Sequence, residues 1–198
     1  INAARSTVLQ TVDQYNVPST GMGARIEVRP PLGEALELRL GSDWRRTVGD
    51  TNELFTYVAG QPTRIRNAGG TAETLGSFAE LTARAGDLTL TGSGRVDYWQ
   101  LDKGRLAERT IATGGVIRND LAPRRTGWEP TGRAGLSWDA GAVTLRSAAY
   151  LGWRLPTLNE LYRPFVVFPV TTRANAALAN ERLEGFEAGL DWEPSSAL

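Results

Sequence analysis

The ten residues LELRLGSDWR, Leu36–Arg45, decide the fold. Leu36, Leu38, Leu40 and Trp44 fall on one side of a two-residue period, and Glu37, Arg39, Asp43 and Arg45 fall on the other. Successive side chains of a strand point to opposite faces, so this stretch is a ribbon with one apolar and one charged side. The same pattern runs outward in both directions. Met22, Ala24, Ile26 and Val28 alternate with Gly23, Arg25, Glu27 and Arg29, while Leu88, Leu90, Val96 and Tyr98 alternate with Thr89, Thr91, Arg95, Asp97 and Trp99. Val143, Leu145, Leu151 and Trp153 alternate with Thr144, Arg146, Tyr150 and Arg154. Phe186, Ala188, Leu190 and Trp192 alternate with Gly185, Glu187, Gly189 and Asp191. Weaker versions lie at Ser6–Val12, Thr74–Arg84 and Thr131–Trp138. Together they predict an all-β chain, an antiparallel up-and-down meander of about eight strands with no amphipathic helix.

The connections come in two sizes that take turns. Pro30–Glu34, Ala85–Asp87 and Asp139–Ala142 are tight and rich in glycine and proline, whereas Val48–Gly70, Leu101–Glu129 and Leu155–Glu181 read as long irregular loops. Short turns on one side and long loops on the other are the habit of outer-membrane barrels, so the long loops are expected outside the cell. Tryptophans fit the same reading. Trp44, Trp99 and Trp153 are expected to end strands on the long-loop side, Trp128 to precede one there, and Trp138 and Trp192 to end strands on the short-turn side. Aromatic girdles at both edges of an apolar band mark a lipid-facing wall.

Composition excludes several functions. The 198 residues carry 22 basic and 22 acidic side chains and no net charge, so binding of nucleic acid through bulk charge is not expected. Lys103 is the single lysine, and the other cations are arginines, planar forks suited to carboxylate pairing. With no cysteine and no histidine, thiolate chemistry, disulfides and imidazole-based catalysis are unavailable. No apolar run reaches the length of a membrane helix, which leaves a membrane barrel open. The chain begins at Ile1 and reads as a processed or excised piece.

One stretch breaks the alternation. In YLGWRLPTLNELYRPF, Tyr150–Phe165, Pro156 stops a strand, and Asn159–Arg163 has the makings of one helical turn before Pro164. Together with the later NAALANERLEGFEAGLDW, this knot resembles the barrel of TonB-dependent outer-membrane receptors. In that family a strand ending in aromatic-arginine-x-proline runs into a Glu-Leu turn, and a later loop ends in Asn-Pro-x-Leu-x-Pro-Glu. Trp153, Arg154, Pro156, Glu160 and Leu161 match the first element; Asn175, Leu178 and Glu181 match the second, with Ala176 and Asn180 in place of the prolines. The resemblance implies a barrel-wall segment of a receptor that takes up a scarce nutrient such as a siderophore or cobalamin. It implies the bacterial outer membrane and its lipid as surroundings, and a TonB complex as partner through a plug that the 198 residues do not contain. The barrel's closing C-terminus is likewise expected elsewhere, and the open edges of the segment are expected to favour self-association.

Trp153 is expected at the lipid interface and Arg154 at the lumen or its mouth. A Glu160–Arg163 pair and packing of Leu161, Tyr162 and Phe165 are expected to hold the turn. Asn159, Tyr162 and Arg163 complete the set, which reads as a structural knot tying loop to barrel rather than a ligand site, with no cofactor implied. Asp43, Asp50 and Glu53 lack the spacing of a calcium loop, Arg124-Arg125 reads as a surface pair, and Gly92-Ser93-Gly94 has no helix after it to make a nucleotide loop. Two other readings remain open at this stage. One is a complete eight-stranded membrane barrel; the other is a soluble β-domain binding or hydrolysing carbohydrate, with Glu160 and Glu181 as its carboxylates.

Overall fold

The computed structural model describes residues 10–167 and 170–193. Its elements are β1 (Val12–Asn16), β2 (Ser19–Val28), β3 (Leu36–Val58), β4 (Gln61–Ala85), β5 (Leu88–Thr110), β6 (Val116–Leu121), β7 (Arg125–Asp139), β8 (Val143–Arg154), α1 (Leu158–Tyr162), β9 (Phe165–Val167), β10 (Val170–Thr172) and β11 (Glu181–Trp192). Nine strands form one antiparallel sheet, and β9 and β10 make a separate small hairpin. The sheet is a meander. β1 and β2 lie end to end along β3, β6 and β7 lie end to end along β5, and β11 closes the far side against β8. Among the described residues no pairing joins the β1/β2 edge to β11, so the sheet is an open arc. Of the expected strand at Ser6–Val12, residues 6–9 lie outside the described residues; β1 opens at Val12.

Register sorts the two faces. Leu38 pairs with Leu81, Leu81 with Gly92 and Gly92 with Ala134, all on the outward face. One residue along, Arg39 pairs with Glu80, Glu80 with Ser93 and Ser93 with Arg133, all inward. Large apolar side chains stand uncovered on the outward face, Ile26 at 66%, Phe186 at 75% and Leu190 at 61% exposure, a surface suited to lipid rather than water. Inward charges are paired instead. Arg39 donates to Glu27 at 3.1 Å and to Glu80 at 2.9 Å, and Arg95 grips both oxygens of Asp43 at 2.6 and 3.0 Å.

Trp44, Leu75, Tyr98 and Trp128 form one outward row across four strands, with the Tyr98 and Trp128 rings 5.1 Å apart. Trp138 stands outward ten residues further along β7, roughly 33 Å of strand, which a tilt of about 40° projects to about 25 Å, the height of a lipid-facing band. Above the upper row the outward positions turn polar: Arg46, Asp50 and Asn52 on β3, Asn67 and Glu73 on β4, Gln100 and Arg105 on β5.

The expected loops Val48–Gly70 and Leu101–Glu129 are corrected here. β3, β4 and β5 run 23, 25 and 23 residues, about twice the 9–11 that a crossing strand needs, so they continue as paired strands beyond the lipid band. Trp44 and Trp99 are therefore mid-strand and do not end their strands. The β3–β4 hairpin turns at Ala59 (φ 50°) and Gly60 (φ 77°), the positive pair that suits the twist of a two-residue turn. Alternation fails as a signal there because the outward face no longer meets lipid and the inward face is covered.

A bulge at Lys103 (φ 54°) interrupts the β4–β5 ladder opposite Gly70 and reverses parity on β5. Asp97, Trp99 and Leu101 point inward below it; Gly104, Leu106 and Glu108 point inward above it. With lipid outside and ions inside, Leu38→Arg is expected to cost about 2–4 kcal/mol of folding in lipid vesicles. Ser93→Arg, inward beside Glu80, is expected to cost no more than about 0.5 kcal/mol. Urea titration of the two variants checks the assignment, and equal losses would refute it.

Candidate functional site

The β7–β8 ladder stops at Gly132 and Leu151, while β8 stays paired to β11 as far as Arg154 and Glu181. Past Leu151 the strand end has no neighbour on one side and turns. Trp153 has outward parity, yet its Nε1 donates to the inward Asp97 at 2.9 Å and its ring packs on the buried cluster of Trp99, Leu101, Leu161 and Tyr162. The expected place of Trp153 at the lipid interface is thus corrected. A paired carboxylate and an apolar cluster inside the wall outcompete lipid for the indole.

Pro156 then removes the ladder donor, and Thr157 opens α1 with a capping box. Its Oγ1 accepts from the Glu160 N–H at 3.3 Å, and Glu160 Oε2 accepts from the Thr157 N–H at 2.7 Å. The single turn starts at Leu158, one residue before its expected start, and the Arg163 N–H closes it on the Asn159 carbonyl at 3.0 Å. This turn and its flanks make a strap across the inward face of β3, β4 and β5.

The strap is seated by shape. Leu161 is 1% and Tyr162 3% exposed. A Cβ at Gly104 would lie 2.3 Å from Tyr162 Cζ, and one at Gly70 would lie 2.9 Å from Tyr162 Cε2, so the ring occupies a notch that only these glycines leave open. The Lys103 bulge turns Gly104 inward to make that notch. Burial pushes the Tyr162 phenol above its ordinary pKa. Phe165 does not take part in the seat: it is 42% exposed, although Pro164 before it is buried.

It is also latched by charge. Glu53, fully buried, accepts from Arg163 Nε at 2.7 Å, Arg66 Nη1 at 3.1 Å and Gln14 Nε2 at 3.0 Å. Arg66 further donates to Glu108 at 2.7 Å and to the Pro164 carbonyl at 2.9 Å, and lies 4.1 Å over the Phe55 ring. Arg163 therefore does not pair with Glu160, contrary to expectation. Glu160 takes both Nη groups of Arg154 at 3.0 Å, and the same guanidinium binds Glu181. The Arg154 bonds, reinforced by Thr157, hold the Glu160 carboxyl down to about 2.

The end of the loop is fixed from β7. Arg125 donates to the Ala176 carbonyl at 2.6 Å and the Leu178 carbonyl at 2.9 Å, Asn175 Oδ1 accepts from the Ala177 N–H at 2.9 Å, and Leu178 packs on the buried cluster. Nearly all the motif residues thus meet in one assembly. The residues that receive them, Glu53, Arg66, Arg125, Gly70 and Gly104, carry no motif; Glu53 and Arg163 are 110 positions apart. Asp43, Asp50 and Glu53 each bind a different arginine set rather than one another. Glu160 and Glu181 share one arginine, and a depressed Glu160 is the reverse of the raised acid that glycoside hydrolysis requires.

A sheet apolar outside, ionic inside and crossed by an inward strap has the two faces of a transmembrane β-barrel wall. The chain belongs to the TonB dependent receptor-like, beta-barrel family, whose model matches residues 2–198; the family is one of outer-membrane receptors, not of enzymes. Among solved structures it is similar to the ferric yersiniabactin uptake receptor FyuA from Yersinia pestis, with a TM-score of 0.63 and 14% identity. That match covers 93% of this chain and 27% of the receptor, so the chain spans about a quarter of the structure it resembles. No curated protein matches it.

Removing the latch carboxylate leaves two arginines facing a buried gap. Glu53→Ala is expected to cost roughly 3–5 kcal/mol, whereas Asp120→Ala, from an exposed pair with Arg118, should cost less than about 1 kcal/mol. Equilibrium unfolding of the two variants compares them. The Glu160 carboxylate, with its pKa lowered, stabilises the strap above the unfolded value of about 4.3, and this contribution disappears as pH falls through about 2. Carboxyl NMR titration should find Glu160 near 2, and Arg154→Gln should return it toward the ordinary range.

Proposed function

We propose that the chain is one arc of the barrel wall of an outer-membrane receptor that actively takes up a scarce nutrient, such as a siderophore or a cobalamin. The plug that meets the TonB complex, and the strands that close the barrel, are then carried by other parts of a longer protein. The observation that supports this best is the strap latched on the inward face by Glu53 and Arg163. A loop held inside a wall narrows the lumen mouth, which suits a receptor that retains its cargo until energy is supplied. In this role Trp153, Arg154, Pro156, Asn159, Glu160, Leu161, Tyr162, Arg163, Asn175, Leu178 and Glu181 tie the loop to the wall, and Phe165 stands at the strap's outer end. The fold likeness to a siderophore receptor agrees with this reading.

Uptake tests it. Cells expressing the full receptor are expected to accumulate radioiron from ferric chelates, or radiolabelled cobalamin, and to lose this when the proton gradient is collapsed. Accumulation that persists without the gradient, or none for any of these nutrients, would refute active uptake.

A further inference from the structure

The fold divides the arginine pair that joins β6 to β7. Arg125 reaches the Ala176 and Leu178 carbonyls on the inward side, whereas Arg124 is exposed and its Nη2 donates to the outward Gln100. Gln100 belongs to the row just above the aromatic one, in which Met22, Arg46, Glu73, Gln100 and Thr126 pair across β2, β3, β4, β5 and β7. The Nε of Arg46 is shut off from solvent and has no hydrogen-bond partner among the described residues. The carboxylates of this belt are committed elsewhere. Glu73, directly opposite Arg46, accepts from Trp44 Nε1 at 2.6 Å, Asp50 from Arg105 at 2.6 Å and Asp102 from the Lys103 N–H at 2.8 Å, which leaves Arg46 and Arg124 without an ion pair among the described residues.

Depth says which anions these forks meet. Trp44 marks the edge of the lipid band, and Arg46 lies two residues beyond it, about 5 Å along the membrane normal for a strand tilted about 40°. A bilayer of about 40–45 Å around a hydrocarbon core of about 30 Å has its headgroups in that interval. The anions there are lipid phosphates, and a planar guanidinium takes two phosphate oxygens at once. Gln100 is two strands from Arg46, about 10 Å, so Arg46 and Arg124 stand on either side of one headgroup.

We propose that this outward row is a binding site for a phosphorylated lipid headgroup, with Arg46 and Arg124 each holding phosphate oxygens and Gln100 positioning Arg124. The site is on the face of the wall opposite the strap, and it is independent of cargo and uptake. Arg105 is spent on Asp50 and Asn67, and Lys103 and Arg109 stand further out along β5.

Native mass spectrometry of the purified full receptor tests this with a diphosphorylated lipid A, the same lipid stripped of both phosphates, and inorganic phosphate. The receptor is expected to retain the diphosphorylated lipid over the stripped one, and inorganic phosphate at equal concentration should not displace it. Arg46→Ala and Arg124→Ala should each weaken retention about tenfold, the loss expected of one charge-assisted hydrogen bond, with Arg46→Lys intermediate. Glu73→Gln keeps an acceptor for Trp44 and removes the carboxylate opposite Arg46, so it should tighten retention. Retention within about twofold of the parent in either alanine variant, or equal retention of the stripped lipid, would overturn the proposal. A loss in Glu73→Gln as large as in Arg46→Ala would also overturn it, making Arg46 and Glu73 a structural pair. Displacement by inorganic phosphate at equal concentration would make this a free-anion site and end the lipid assignment. Arg124 is exposed, so its variant carries the test alone if Arg46→Ala does not fold.

Discussion

Lipid supplies no hydrogen bonds, so every backbone amide and carbonyl that crosses the bilayer must find its partner in the neighbouring strand. That constraint fixes the ladder, and the ladder fixes everything that hangs from it. Directly opposed residues share a face, so one register puts Leu38, Leu81, Gly92 and Ala134 in lipid and Arg39, Glu80, Ser93 and Arg133 in the lumen. A slip of one position in any strand would drive charge into hydrocarbon across the sheet.

The inward face solves a second problem by pairing. Cations on it are arginines, and a planar fork bridges carboxylates on several strands at once, as Arg39 does between Glu27 and Glu80, and Arg95 between Asp43 and Asp97. These bridges run across the strands and tie side chains in the direction in which the backbone hydrogen bonds already run. Where the wall leaves the membrane the same device is put to another use. Glu53 gathers Arg66 and Arg163 at the far end of long strands and so holds a loop from the opposite side of the arc.

Seating that loop depends on a local break in regularity. The bulge at Lys103 changes which β5 residues look inward, bringing Gly104 beside Gly70, and the Tyr162 ring lies in the space between them. Elsewhere the wall is one layer thick with little to bury. Among the described residues the fully buried apolar side chains, Leu101 of β5 and Leu161 of the strap itself, therefore meet where the strap seats on the wall rather than in the lipid band.

Alternation in LELRLGSDWR and its counterparts sufficed to read the strands and their two faces, because a side chain's preference for an apolar or a polar side is decided by its own polarity and position. The membrane was read from loop sizes and tryptophan placement, although two of those loops are largely paired strand. The helical turn was legible in outline, but its capping box, Thr157 with Glu160, went unread although it joins near neighbours, and the turn was expected to start at Asn159 instead of Leu158. The lengths of β3, β4 and β5 were not legible. Once a strand leaves the bilayer its outward face turns polar and its inward face is covered by a loop more than a hundred residues away, so period two no longer reports on it. Trp153 shows the limit most clearly. Its parity pointed to lipid, and only the fold could show that the ladder beside it ends at Leu151, leaving the ring free to turn toward Asp97 and the cluster within.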